Sequence, residues 1–144
     1  VSTRMKAPKG IVFIGATASK GKSTILNLLR LLLPRTATCS IPPSDFEKEQ
    51  SLATLVGKTA NLTDEISNYK SIASDKMKSL ITGDIVAAKI VYQPVFNFQP
   101  IATHIFATNE LPNFKGGVDA GVERRMLVTP FPTTLPEYRR VTIL

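Results

Sequence analysis

Cysteine, histidine and tryptophan are nearly missing from this chain of 144 residues, which has one Cys, one His and no Trp. A single cysteine (Cys39) excludes an internal disulfide framework, and a single histidine (His104) leaves no Cys/His zinc site. A Ser-His-Asp triad would have to use His104, which sits in the apolar, strand-like run His104-Ile-Phe-Ala-Thr108. Long hydrophobic runs are lacking too. The longest, residues 25–33, is interrupted by Asn27 and Arg30 and stops at Pro34, far short of the ~20 apolar residues that span a bilayer. No membrane partner is expected. The chain opens without a leader and cleavage site, which makes an intracellular, cytoplasmic location the expectation. Acidic residues are scarce beside basic ones: 11 Asp plus Glu against 18 Lys plus Arg, a formal net charge of +7. That excess favours a polyanionic partner such as nucleic acid or nucleotide phosphate. The 43% hydrophobic content is that of an ordinary core-forming chain, long enough for one domain and not comfortably for two.

No internal repeat or low-complexity tract interrupts it. Residues 1–9 (VSTRMKAPK) are basic and polar and read as an arm or linker, leaving residues 10–144 as the domain. Gly10-Ile-Val-Phe-Ile14 reads as a buried strand. A Gly/Ser loop follows, and then a helix that Pro34 ends near Leu33. Residues 36–41 read as a weak strand, and Ser44-Asp-Phe-Glu47 as a capping box opening a helix to about Val56. Residues 59–63 form a strand leading into Asp64-Glu65, and a helix is expected over residues 68–81, ended by Gly83-Asp84. Residues 85–99 read as two short strands around Gln93-Pro94, a hairpin. Residues 104–108 form another buried strand, and a Gly-rich loop (residues 113–121) leads through Glu123-Arg124-Arg125 to a last strand over residues 126–129. Strands alternating with helices predict a three-layer α/β domain with a mainly parallel sheet.

The sharpest chemical signal is the loop Ala16-Thr17-Ala18-Ser19-Lys20-Gly21-Lys22-Ser23-Thr24 between a strand and a helix. A phosphate-binding loop needs small residues, so that backbone N–H groups can close around the phosphates. Its lysine neutralises the β/γ oxygens, its hydroxyl ligates Mg²⁺, and the helix behind it points its positive end at the site. Lys22 and Ser23 stand in those two places, which makes ATP and Mg²⁺ the expected cofactors. The strict pattern has glycine where Ala16 stands, with Gly15 one place early. Either Ala16 is not left-handed, or the loop is one residue longer. The plainer alternative is a Ser/Lys-rich turn capping a helix.

Asp64-Glu65, at the tip of an apolar strand, is the natural second half of such a site: Asp64 to hold Mg²⁺ and Glu65 to orient the attacking water. A helix N-cap is the competing reading. Asn109 suits placement of that water or sensing of the γ-phosphate, or else a turn before Pro112. Arg124 and Arg125 read as an arginine finger acting across a subunit boundary, or as solvated charges. Cys39, His104, Phe96 and Phe98 read as packing residues.

The order GKST, DE, KSLITGD, hairpin, TNELP and ERRMLVTPF resembles the superfamily-3 helicases, especially the helicase domains of phage and plasmid primase-helicase replication proteins. The resemblance runs over about residues 10–131. It implies a P-loop NTPase with a modified AAA+ core and a β-hairpin insertion. It further implies a homo-oligomeric, usually hexameric ring with nucleotide between subunits, single-stranded DNA as partner, and Arg125 rather than Arg124 as the finger. The hairpin after the KSLITGD motif would line the DNA channel and offers Lys89 and Tyr92, with Lys78 and Lys76 on the helix before it. Such motors carry further replication domains, so the chain is expected to be a piece of a larger replication protein. An ATP-binding module that switches partners with little motor activity is the alternative. A small-molecule kinase would need an arginine-rich lid where the hairpin stands.

Overall fold

A computed structural model describes residues 10–17, 21–64, 66–67 and 69–134. The proposed arm over residues 1–9, the loop residues Ala18, Ser19 and Lys20, and Glu65 lie outside the described residues. Five strands form the central sheet: β1 (Gly10–Ile14), β2 (Thr38–Cys39), β3 (Ala60–Thr63), β6 (Thr103–Thr108) and β7 (Met126–Pro130). Their order is β2-β3-β6-β1-β7, and every neighbouring pair is parallel. A separate antiparallel hairpin joins β4 (Val86–Lys89) to β5 (Val95–Phe98). The expected parallel sheet and hairpin are therefore both present.

Strand alternation sorts the sheet's side chains to two faces. On one face Phe13, Leu62, Ala60 and Ala107 pack with Leu26 of α1 (Lys22–Leu32). On the other, Val12 and Phe106 pack with Leu52 of α2 (Glu49–Ala53), Met77, Leu80 and Ile81 of α3 (Ser74–Thr82), and Val122 of α4 (Ala120–Arg125). Helices on both faces of a parallel sheet give three layers. The hairpin joins the second face through Val86 and Ala88, with Phe96 and Phe98 packed against the same core. Both phenylalanines thus pack, as their spacing predicts.

Three local expectations are corrected. The capping box at Ser44 does not form. Pro42 and Pro43 lead instead into a tight turn over Pro43–Asp45, and Lys48 is extended (φ −89°, ψ 110°), so the helix begins only at Glu49. The helix expected over residues 68–81 starts at Ser74, because Ile72 is held extended between Asn113 and Lys115: its N–H donates to Asn113 O (2.8 Å) and its carbonyl accepts from Lys115 N (2.9 Å). It ends at Gly83, whose φ of 81° suits a left-handed C-cap. Finally, the Gly-rich loop leads into a short helix before β7. Asp119 starts that helix by accepting from Val122 N–H (2.7 Å).

Candidate functional site

Because the sheet is parallel, the ends of β1, β3 and β6 lie along one edge, where ligands of open α/β sheets collect. The loop after β1 turns into α1 through Gly21, which is left-handed (φ 85°) and leaves the helix with no side-chain cap. No acidic residue stands in the first turn. Among the described residues, therefore, no capping side chain or first-turn carboxylate competes with an anion for the first N–H groups and the positive end of the helix dipole. Among the described residues the only non-glycine with positive φ is Tyr92, so Ala16 is not left-handed and its Cβ meets no backbone penalty. Ala16, Thr17, Ser23 and Thr24 are exposed. Thr17 Oγ1 lies 3.5 Å from Thr134 Oγ1.

Lys22 is only 8% exposed, although it is the first residue of a helix at the surface. Its Nζ donates to Gly15 O (2.6 Å) and to Asn109 Oδ1 (2.9 Å), so the loop lysine is clamped between the ends of β1 and β6. Asn109 reaches it because Thr108 Oγ1 folds the chain behind it, donating to Glu110 O (2.7 Å) and accepting from Glu110 N–H (3.4 Å). Gly15 N–H in turn donates to Thr108 O (3.2 Å). Two of the sequence-selected residues thus meet directly.

Asp64 follows β3 on the α1 side of the sheet. Its Oδ2 accepts from Arg30 Nη1 (3.0 Å), whereas its Oδ1 is buried and has no hydrogen-bond partner among the described residues. In the sequence Arg30 reads only as a break in an apolar run. Its signal is that very position, a guanidinium flanked by Leu28-Leu29 and Leu31-Leu32. Among the described residues no group of three or more His, Cys, Asp or Glu could hold a metal ion by itself. Mg²⁺ keeps several waters and takes one or two protein ligands beside phosphate oxygens. The unpartnered Asp64 Oδ1 and the exposed Ser23 hydroxyl are suited to that part.

The remaining selected residues lie elsewhere. Arg125 Nε donates to Thr82 Oγ1 (2.9 Å) and its Nη1 to Gly121 O (3.0 Å), pinning α4 to α3; Arg124 is exposed. Lys78 is drawn between Asp75 (3.0 Å) and Asp119 (2.9 Å), and the Asp119 hydrogen bond is the main cause that raises its pKa. Lys89 and Tyr92 are exposed on the hairpin, where Ile90, Val91 and Val95 are exposed as well. Lys76 is half-buried. Burial pushes the Cys39 thiol up to about 11, which disfavours the thiolate.

Comparison with known proteins agrees with the fold. An A-form apo structure of the NrS-1 C-terminal region superposes with a TM-score of 0.70 at 17% identity, covering 93% of this chain and 31% of that one. A second apo structure of the same region gives 0.71 at 16% identity, covering 93% and 32%. At such identity the likeness is one of fold, and the chain spans about a third of the length of these solved relatives. No curated protein matches the sequence. One family model matches residues 13–125, from the middle of β1 to the end of α4. This chain therefore belongs to the family of unknown function DUF5906.

Proposed function

We propose that this domain binds Mg²⁺-ATP at the sheet edge and hydrolyses it as the motor of a superfamily-3-type DNA helicase. Turnover would be coupled to movement along single-stranded DNA and to strand separation in replication. The observation that carries the reading is Lys22: a buried ammonium clamped to Gly15 O and Asn109 Oδ1 beneath an uncapped helix N-terminus. Burying a lysine is costly unless its charge is used. Here it is held where a β/γ-phosphate would sit against the first N–H groups of α1.

In this reading Lys22 binds the β/γ oxygens, and Ser23 with Asp64 holds the divalent cation. When bound, that cation neutralises charge developing on the transferred phosphoryl group. Glu65 orients the attacking water. Asn109 passes between Lys22 and the water or γ-phosphate, and so reports whether nucleotide is present. Arg125 or Arg124 completes the site of a neighbouring subunit in a ring, and Lys89 and Tyr92 of the hairpin, with Lys78, face single-stranded DNA. For Arg125 to act as the finger it must leave Thr82 and Gly121; Arg124 starts from an exposed position.

The test is ATP hydrolysis over a protein-concentration series, with and without single-stranded DNA, for the wild type, Lys22→Ala, Arg124→Ala and Arg125→Ala. An assembling motor gives turnover per protomer that climbs with concentration, responds to DNA, disappears with Lys22→Ala and falls with one arginine variant. Lys22-dependent ATP binding with flat, DNA-blind, negligible turnover, in this chain and in its longer parent, would replace the motor with a nucleotide-dependent switch.

A further inference from the structure

Arg30 is the one charged side chain in the run 25–33, and it bridges the two elements that would hold the cation. From the far half of α1 its guanidinium makes three hydrogen bonds. Nη1 donates to Asp64 Oδ2 (3.0 Å) and to Asn27 Oδ1 (2.8 Å), and Nη2 donates to Leu62 O (3.1 Å). Helical side chains lean toward the N-terminus, so Arg30 reaches back toward the sheet edge where Asp64 stands. One planar fork thereby joins α1, whose first turn carries Lys22 and Ser23, to the end of β3.

We infer that Arg30 is a positioning residue for the divalent cation: it holds Asp64 by Oδ2 and leaves the buried Oδ1 as the oxygen presented to the metal. The inference rests on the nucleotide reading above and adds a residue to it. Two features favour a role in positioning over one in stability. First, the pair is about one-third exposed (33% and 30% for the two side chains), and exposed ion pairs contribute little to folding. Second, the fork spends a donor on Leu62 O, which fixes the guanidinium against the strand rather than simply neutralising the carboxylate. With Oδ2 taken, rotation of the carboxyl group is restrained, and Oδ1 is the oxygen left without a hydrogen-bond partner among the described residues.

The test is direct metal binding by the full chain, read as bound Mn²⁺ by electron paramagnetic resonance in the presence of ATP, beside ATP binding in EDTA. Arg30→Ala should leave metal-free ATP binding within about twofold of wild type. It should raise the Mn²⁺ concentration for half-saturation roughly tenfold, an amount typical of removing an outer-shell partner of a ligand. Arg30→Lys keeps the charge but loses the fork, and should recover only part of that loss. In an Asp64→Asn background the Arg30 effect should vanish, because the two act through one carboxylate. Should Arg30→Ala fail to fold by circular dichroism, Arg30→Lys and Arg30→Gln carry the same comparison. Unchanged Mn²⁺ half-saturation in a wild type that binds ATP through Lys22 would overturn the Arg30 role alone. Equal loss of metal-free and metal-loaded binding would also overturn it, showing Arg30 to be structural. A wild type that binds no ATP would remove the nucleotide reading, and the role of Arg30 with it.

Discussion

Lowering the pH from 7 to 5 should cost this fold about 2 kcal/mol through His104. The imidazole is 1% exposed on β6, between the rings of Phe46 and Phe106, and burial pushes it down from 6.5 to about 4. Its Nδ1 faces Asn61 Nδ2 at 3.1 Å. The Asn61 amide is oriented by Ile41, whose N–H donates to Oδ1 (2.7 Å) and whose carbonyl accepts from Nδ2 (3.0 Å). Nδ1 must therefore accept, the ring proton sits on Nε2, and Nε2 has no partner among the described residues. Protonation would set two donors against each other inside an apolar layer. Since the folded value lies below the unfolded one, the neutral ring's contribution is complete above pH 6.5. It is lost as the pH falls, reaching about 3 kcal/mol by pH 4 and levelling below that. Against a typical stability of about 5–15 kcal/mol this is a large fraction. Urea unfolding followed by circular dichroism at pH 7, 6 and 5, on wild type and His104→Leu, isolates the effect. Whatever the substitution costs at pH 7, the variant should lose about 2 kcal/mol less than wild type between pH 7 and 5. Parallel profiles would refute the reasoning.

Two further substitutions test the backbone on either side of the functional argument. Gly21→Ala places a methyl group where nothing among the described residues lies within 4 Å, so its expected cost is that of the left-handed backbone, about 1 kcal/mol in urea unfolding. ATP affinity should fall with it, because the loop must open the helix N-terminus through that residue. Tyr92 is a fully exposed aromatic at φ 63° in the hairpin tip. Tyr92→Gly should therefore leave melting unchanged or raise stability by up to about 1 kcal/mol, while fluorescence anisotropy shows weaker binding of single-stranded DNA. A clear loss of stability with unchanged DNA affinity would mean that the ring serves the fold.

Regular elements were legible where local pattern and tertiary demand coincide. The run Gly10–Ile14, rich in β-branched residues, and the apolar helix stopped by Pro34 formed as their sequences suggest. Elements whose start depends on a distant partner were not legible. The capping box at Ser44 lost to Pro42-Pro43, and the helix starts only at Ser74 because Ile72 pairs with residues more than forty positions away. The short α4 was hidden because Gly116 and Gly117 dominate its approach; Asp119 was the available cue. Within the site, loop spacing picked out Lys22, and position at a strand tip picked out Asn109, which then proved to be its hydrogen-bond partner. Arg30 escaped because helical periodicity explains why a residue faces a sheet but not which strand end a long side chain will reach.

The most direct measurement is ATP binding by titration calorimetry, with and without Mg²⁺, on the wild type and Lys22→Ala. The account predicts saturable binding that Mg²⁺ tightens and that Lys22→Ala weakens by roughly a hundredfold, about 2.7 kcal/mol for a lost charge-assisted phosphate contact. Equal affinity in wild type and variant, or no binding by a folded wild type, would contradict it.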